Sequence, residues 1–169
     1  MNRAQRRANK KATRPGFMEM DGVVYDVRAG GTLLTDDEIF KQELKWQLII
    51  SAMERHHIDP DGEYYNDDQE VTLSHHINVM LHAAIESEEE DIYRLCGMVI
   101  EEMKKAQERK KQYGRWIITK PMIDLLSVFM IATFGDGGFM RRCSRLRIAK
   151  AAKKTYDFYK KCAERDVTV

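Results

Sequence analysis

Side chains with metal-binding or acid–base chemistry fall in two stretches of the chain. The segment Asp59-Pro-Asp-Gly-Glu-Tyr-Tyr-Asn-Asp-Asp-Gln-Glu70 puts Asp59, Asp61, Glu63, Asp67 and Glu70 at positions 1, 3, 5, 9 and 12 of an EF-hand calcium loop. The pattern breaks at position 6, where the turn needs glycine and Tyr64 stands, and at position 8, where Asn66 replaces an apolar residue. With Asp68, these residues read instead as an acidic surface loop that imitates phosphates and docks on a basic protein surface. The second stretch is histidine-rich. His75 and His82 are about 10 Å apart along a helix, too far to share an ion unaided. His82 and Glu86 have the i, i+4 spacing of a chelating pair, although a hydrogen bond along the helix surface is the commoner use. Glu54 and His57 give one Glu-x-x-His, and a ferritin-like site needs two. His56 and His57 suit the end of a helix, where positive charge meets the dipole.

Gly135-Asp-Gly-Gly138, followed by Arg141 and Arg142, has the composition of a phosphate cradle. It lacks a lysine-serine or lysine-threonine pair and follows a helix, so it reads as a tight helix–helix turn. No nucleophile–base motif, P-loop, dinucleotide fingerprint or zinc-protease motif occurs. No catalytic residue, metal or cofactor is therefore expected. A metal-dependent enzyme using His75, His82, Glu86 or the acidic loop stands as an alternative.

The strongest signal is the arrangement of charge. The formal net charge is only +1, but residues 1–16 hold six bases and no acid: Arg3, Arg6, Arg7, Lys10, Lys11 and Arg14. Residues 17–103 hold 21 acids against five bases, and residues 104–169 hold 17 bases against six acids. Drawn as a helix, the six cations of the arm lie within about 140°. No large apolar side chain is present there to enter a core or a membrane. Such a segment is disordered when free and suits a nucleic-acid groove, where phosphates neutralise it as it folds. Near the other end, Arg147, Lys150, Lys153, Lys154, Lys160 and Lys161 share one side of a helix with Asp157 and Glu164. That side reads as a solvated face or one that pairs with the acidic middle of the same chain, or else as a surface for phosphates or an acidic partner.

Met1-Asn-Arg-Ala-Gln-Arg-Arg-Ala-Asn-Lys-Lys11 resembles the opening of many small phage and prophage proteins, including some tail-assembly chaperones. It is also similar to the arginine-rich RNA-binding peptide of the lambdoid antiterminators. That resemblance implies phosphate-contacting roles for Arg6, Arg7 and Lys10. It covers about a dozen positions and implies a phage setting without specifying an RNA target.

The elements that must hold these groups follow from patterning. With 169 residues, 43% apolar and 33% charged, the chain suits one domain with an arm. Three separated cysteines exclude a disulfide framework, and the longest apolar run, the 13 residues Met122–Phe134, is too short for a bilayer. The N-terminus lacks the apolar stretch of a secretion signal. Residues 17–28 read as a β-hairpin turning at Asp21-Gly22. Thr35 and Glu38 form a capping box opening a helix to about His57, with Phe40, Leu44, Trp46, Leu48, Ile49, Ile50 and Met53 mostly buried. Further helices are expected at about 72–87, 88–113, 121–134 and 139–165, the fourth apolar nearly all round and central. Asp124 in its first turn reads as a structural ion-pair member with Arg115 or Lys120.

The expected fold is mainly α: about five helices in a compact bundle, a small N-terminal β-hairpin and a disordered basic arm, divided as arm 1–16 and single domain 17–169. The expected function is a non-enzymatic, phage-type regulatory or anti-host protein, including an anti-defence protein. It would bind RNA or DNA phosphates, or a nucleoprotein complex, through both basic segments. The acidic middle would dock on a basic protein surface. No membrane partner is expected, the location is the host cytoplasm, and the wide apolar faces leave room for a homodimer. The alternative from another class is a tail-assembly chaperone or virion structural protein.

Overall fold

The computed structural model describes residues 33–166 and, before them, the backbone of two short strands, β1 (Phe17–Met20) and β2 (Val23–Asp26). The strands pair antiparallel, Phe17 opposite Asp26 and Met20 opposite Val23. The expected turn at Asp21-Gly22 and the expected disorder of residues 1–16 lie outside the described residues.

The rest is mainly helical. Helix α1 (Asp36–Ile58) begins as its sequence dictates: the Glu38 N–H donates to Thr35 Oγ1 at 3.3 Å, and the Thr35 N–H donates to the Glu38 carboxylate at 2.8 Å. Helix α2 (Asp67–Ser87) starts five residues before the expected position, because Asn66 and Gln69 make a second reciprocal cap. The acidic loop is correspondingly shorter, and Asp67, Asp68 and Glu70 belong to the first turn of α2. Helix α3 (Glu90–Tyr113) stops at Gly114, whose φ of 71° is the left-handed conformation that glycine adopts freely. Pro121 sits in the first turn of α4 (Lys120–Phe134).

The expected last helix is in fact two. A single turn, α5 (Phe139–Arg142), is followed by a break at Cys143-Ser144 and then by α6 (Arg145–Asp166). At the break Ser144 forms an isolated antiparallel bridge with Leu33, so the backbone leaves the helix to pair with the entry to α1.

Helix α1 packs on α4, α4 on α3, and α2 lies between α3 and α6. Their buried residues form one hydrophobic cluster that includes Trp46, Met53, Leu73, Ile77, Val99, Leu126 and Phe129. The stretch Lys120–Arg142 has the length and hydropathy of a membrane span. In this fold its Met122, Ile123, Leu126, Phe129 and Phe134 fill the core instead. One expectation about a buried face is corrected. Phe40, Leu44 and Leu48 are exposed on the back of α1, because Ile39, Trp46, Ile50 and Met53 take the core side. On α6 the core takes Ala151, Ala152 and Thr155, while Tyr156, Phe158 and Tyr159 are left accessible.

Candidate nucleic-acid interface

Helix α6 meets α2 through small residues. Ala151, Ala152 and Thr155 are buried, and Thr155 Oγ1 donates to the Ala151 carbonyl at 3.0 Å, satisfying its hydroxyl inside the contact. The remaining arc of the helix faces water and holds the cations singled out by the sequence. Lys153 pairs with Asp157 at 2.8 Å, and Lys154 bridges to Glu86 on α2. Among the described residues, Arg147, Lys150, Lys160 and Lys161 form no salt bridge, although Lys160 and Lys161 lie near enough to Asp157 to help Lys153 lower its pKa. They are the cations with charge left to offer a phosphate.

The arginines upstream are used inside the fold. Arg141 reaches Asp36 at 2.5 Å and donates through Nε to the Gly135 carbonyl at 3.1 Å, so its guanidinium is used inside the fold. Arg142 pairs with Glu89 at 2.8 Å. Arg145 grips both Glu38 oxygens at 2.6 and 2.5 Å, a bidentate contact joining α6 to the cap of α1. Burial raises the Glu38 pKa, but the hydrogen bonds from Arg145 and Thr35 outweigh it and hold the carboxyl below its ordinary value. Part of the basic tail therefore neutralises part of the acidic middle.

The acidic segment is divided in the same way. Asp61 pairs with Arg115 at 2.6 Å. Asp67 binds Lys110, accepts from Trp116 Nε1 at 2.9 Å, and is held below its ordinary value by those two contacts. Lys110 Nζ also sits 4.7 Å over the Trp116 ring, the position a partner's cation would need. The cleft between the loop and Trp116, about 620 Å3, is lined by charges of both signs and favours neither. Asp59, Glu63 and Asp68 remain exposed.

Glu70 corrects the reading of the whole segment as a docking surface. It is 5% exposed, accepting from Tyr65 Oη at 2.6 Å and Gln107 Nε2 at 2.8 Å, and it cannot reach a partner. Burial raises its pKa above the ordinary 4.5. Folding thus favours the protonated acid, and the Glu70 contribution to stability falls as pH rises from 4.5 through the folded value. Glu70→Gln should remove that fall. In urea unfolding the variant should match or exceed the wild type at pH 7, with the wild type gaining on it as pH drops; a wild type that gains relative to the variant on raising pH contradicts this.

His56, His57 and His76 make hydrogen-bond contacts within the fold. His56 lies 2.9 Å from the Gly62 carbonyl through Nδ1 and 2.9 Å from the Trp116 carbonyl through Nε2; His57 Nδ1 lies 2.8 Å from the Ile118 carbonyl. Together they clasp the extended link 115–119 against the end of α1. His76 Nδ1 accepts from Trp46 Nε1 at 3.1 Å. His82 is half-buried; burial and the Lys154 ammonium lower its pKa, and Lys154 also takes the Glu86 carboxylate that would complete a chelating pair. Among the described residues, no three His, Cys, Asp or Glu side chains gather to hold a metal. Burial pushes the Cys96 thiol up to about 12, which keeps it from acting as a thiolate. Asp124 pairs with Lys120 at 2.8 Å, as its first-turn position led us to expect.

Family models, curated proteins and solved structures give no match for this chain.

One feature of α6 escaped the sequence reading. Tyr156 is 57% and Phe158 55% exposed, the two rings bracketing the cationic arc. Their alternation with lysine looked like an ordinary amphipathic helix. The signal available was the alanine run Ala149, Ala151 and Ala152, whose small side chains take the buried side of the helix.

Proposed function

We propose that this is a non-enzymatic nucleic-acid-binding protein that engages RNA or DNA, alone or within a nucleoprotein, through α6 and the basic arm. The observation carrying this reading is the set Arg147, Lys150, Lys160 and Lys161, which form no salt bridge among the described residues, on a helix whose Arg145, Lys153 and Lys154 are paired with carboxylates. A cation already paired contributes little counterion release; an unpaired one contributes fully. In support, β1 lies against α6, and the sequence before it carries Arg3, Arg6, Arg7, Lys10, Lys11 and Arg14. A hairpin over 17–28 would follow that basic sequence. The phage-type regulatory or anti-host setting comes from the resemblance of residues 1–11. The acidic-loop residues that would contact a basic protein surface are Asp59, Glu63 and Asp68, which are exposed.

The test is oligonucleotide binding against salt. The intact protein should bind with a steep decline as salt rises. Deleting residues 1–15 should lower the slope of log K against log salt by about 4 for a single strand, as six phosphate contacts are lost. Binding that ignores salt, or no binding, would sink the proposal.

A second reading, an assembly protein such as a tail-assembly chaperone, is favoured by the exposed stripe Phe40, Leu44 and Leu48 on α1. It predicts that the protein co-purifies with a structural protein and binds no nucleic acid.

A further inference from the structure

The exposed rings of α6 belong to a longer aromatic series. Phe158 and Tyr159 meet edge to face at 5.8 Å between centroids, and Tyr159 lies 6.3 Å from the His75 ring of α2. Asn78 Nδ2 donates to Tyr159 Oη at 2.9 Å and to the Ser74 carbonyl at 2.8 Å, which fixes the tyrosine in the α2–α6 groove. His75 is followed by His76, and His76 stacks on the buried Trp46, so the series is anchored in the core. Its outer end, Phe158, is 55% exposed to water.

Charge is placed around that open ring. Lys161, which forms no salt bridge among the described residues, follows Phe158 by one turn, about 5 Å along the axis; Lys154, about 6 Å before it, is already paired with Glu86. Arg147, Lys150, Lys154, Phe158 and Lys161 fall on one stripe of the helix, at successive spacings of three, four, four and three. Phe158 is the apolar residue within it. An aromatic face held at the level of flanking cations is what an unpaired base with its own phosphates requires: the base stacks while the backbone runs along the lysines. A duplex keeps its bases stacked inside and cannot use the ring.

We propose that Phe158, backed by Tyr159 and His75, is a stacking platform for an unpaired nucleobase, and that the protein therefore prefers single-stranded nucleic acid to duplex. This rests on the proposed α6 interface. A cavity-bound small molecule does not fit as well, because the rings form an open shelf. The chemistry read is the base face, which single-stranded RNA and DNA share, and the two strand types are arms of the test.

Fluorescence anisotropy with the full chain should be run on labelled 20-mers of single-stranded RNA, single-stranded DNA and the matching blunt duplexes. Single strands should bind about tenfold tighter than duplex. Phe158→Ala should weaken single-strand binding about tenfold and leave both duplex affinity and salt slope unchanged, while Phe158→Trp should retain wild-type affinity. Equal affinity for single strand and duplex, or a Phe158→Ala variant with wild-type single-strand affinity, overturns the platform but leaves the cationic interface standing. Failure of every oligonucleotide to bind overturns both. Because Phe158 is exposed, circular dichroism should show the variants folded.

Discussion

Trp46→Ala should remove about 4 kcal/mol of stability, a large share of the 5–15 kcal/mol typical of a domain. Trp46 is 0% exposed and joins three helices at once. From α1 its ring stacks on Phe129 of α4 with centroids 5.1 Å apart and meets Phe134 at 6.0 Å. Its Nε1 donates to His76 of α2 at 3.1 Å. Alanine would leave a cavity that α1 cannot collapse to fill, since α4 holds it along its length, and would leave His76 Nδ1 without its donor. Trp46→Phe should cost clearly less, keeping much of the volume and losing the hydrogen bond. Urea unfolding followed by circular dichroism reads both. A Trp46→Ala variant within 1 kcal/mol of the wild type would contradict this account of the core; that threshold is set roughly at the scale of an ordinary surface substitution.

The second large effect is on binding. Lys150→Glu, Lys160→Glu and Lys161→Glu combined should weaken oligonucleotide binding by about 100-fold or more at 0.1 M salt, since three attractive charges become repulsive. The three lysines are exposed and form no ion pair among the described residues, so the fold should be unaffected. The contrast is Arg145→Ala. Arg145 carries the same formal charge but is committed to Glu38, so its loss should lower stability and spare the binding surface. An affinity for the triple variant within threefold of the wild type, a margin chosen as about half a kcal/mol, would remove α6 from the interface.

Local chemistry made the helices legible and tertiary competition hid their faces. The Thr35–Glu38 cap and the Gly114 stop act within a few residues, so they can be read from the chain. So can the Asn66–Gln69 cap, once asparagine is weighed as a cap residue rather than as part of an acidic run. Helix α1 offers two apolar stripes, Ile39–Trp46–Ile50–Met53 and Phe40–Leu44–Leu48. Periodicity alone supports burial of either or both; the tryptophan side wins because Phe129 and Phe134 receive it. Glu70 looks like one more surface acid until Tyr65 and Gln107, the latter 37 positions away, are brought to it. His56 and His57 find their partners 60 and 61 positions downstream, a relation that no spacing rule encodes. The break at Cys143-Ser144 carries neither glycine nor proline and is fixed by pairing with distant Leu33.

The candidate interface was legible in its charges and illegible in their pairing. Composition marks every lysine of α6 alike. Only the approach of Glu86 and the spacing of Asp157 separate Lys153 and Lys154, already partnered, from Lys150, Lys160 and Lys161.

The central claim is that unpaired cations on α6, with those of the arm, bind nucleic-acid phosphates. The most direct measurement is the affinity of the intact protein for a single-stranded 20-mer RNA between 50 and 300 mM salt, a range of about sixfold chosen to resolve the slope. Ten cations engaging phosphates should give a slope of log K against log salt of about −7. A flat line, or no binding at the lowest salt, would contradict the account.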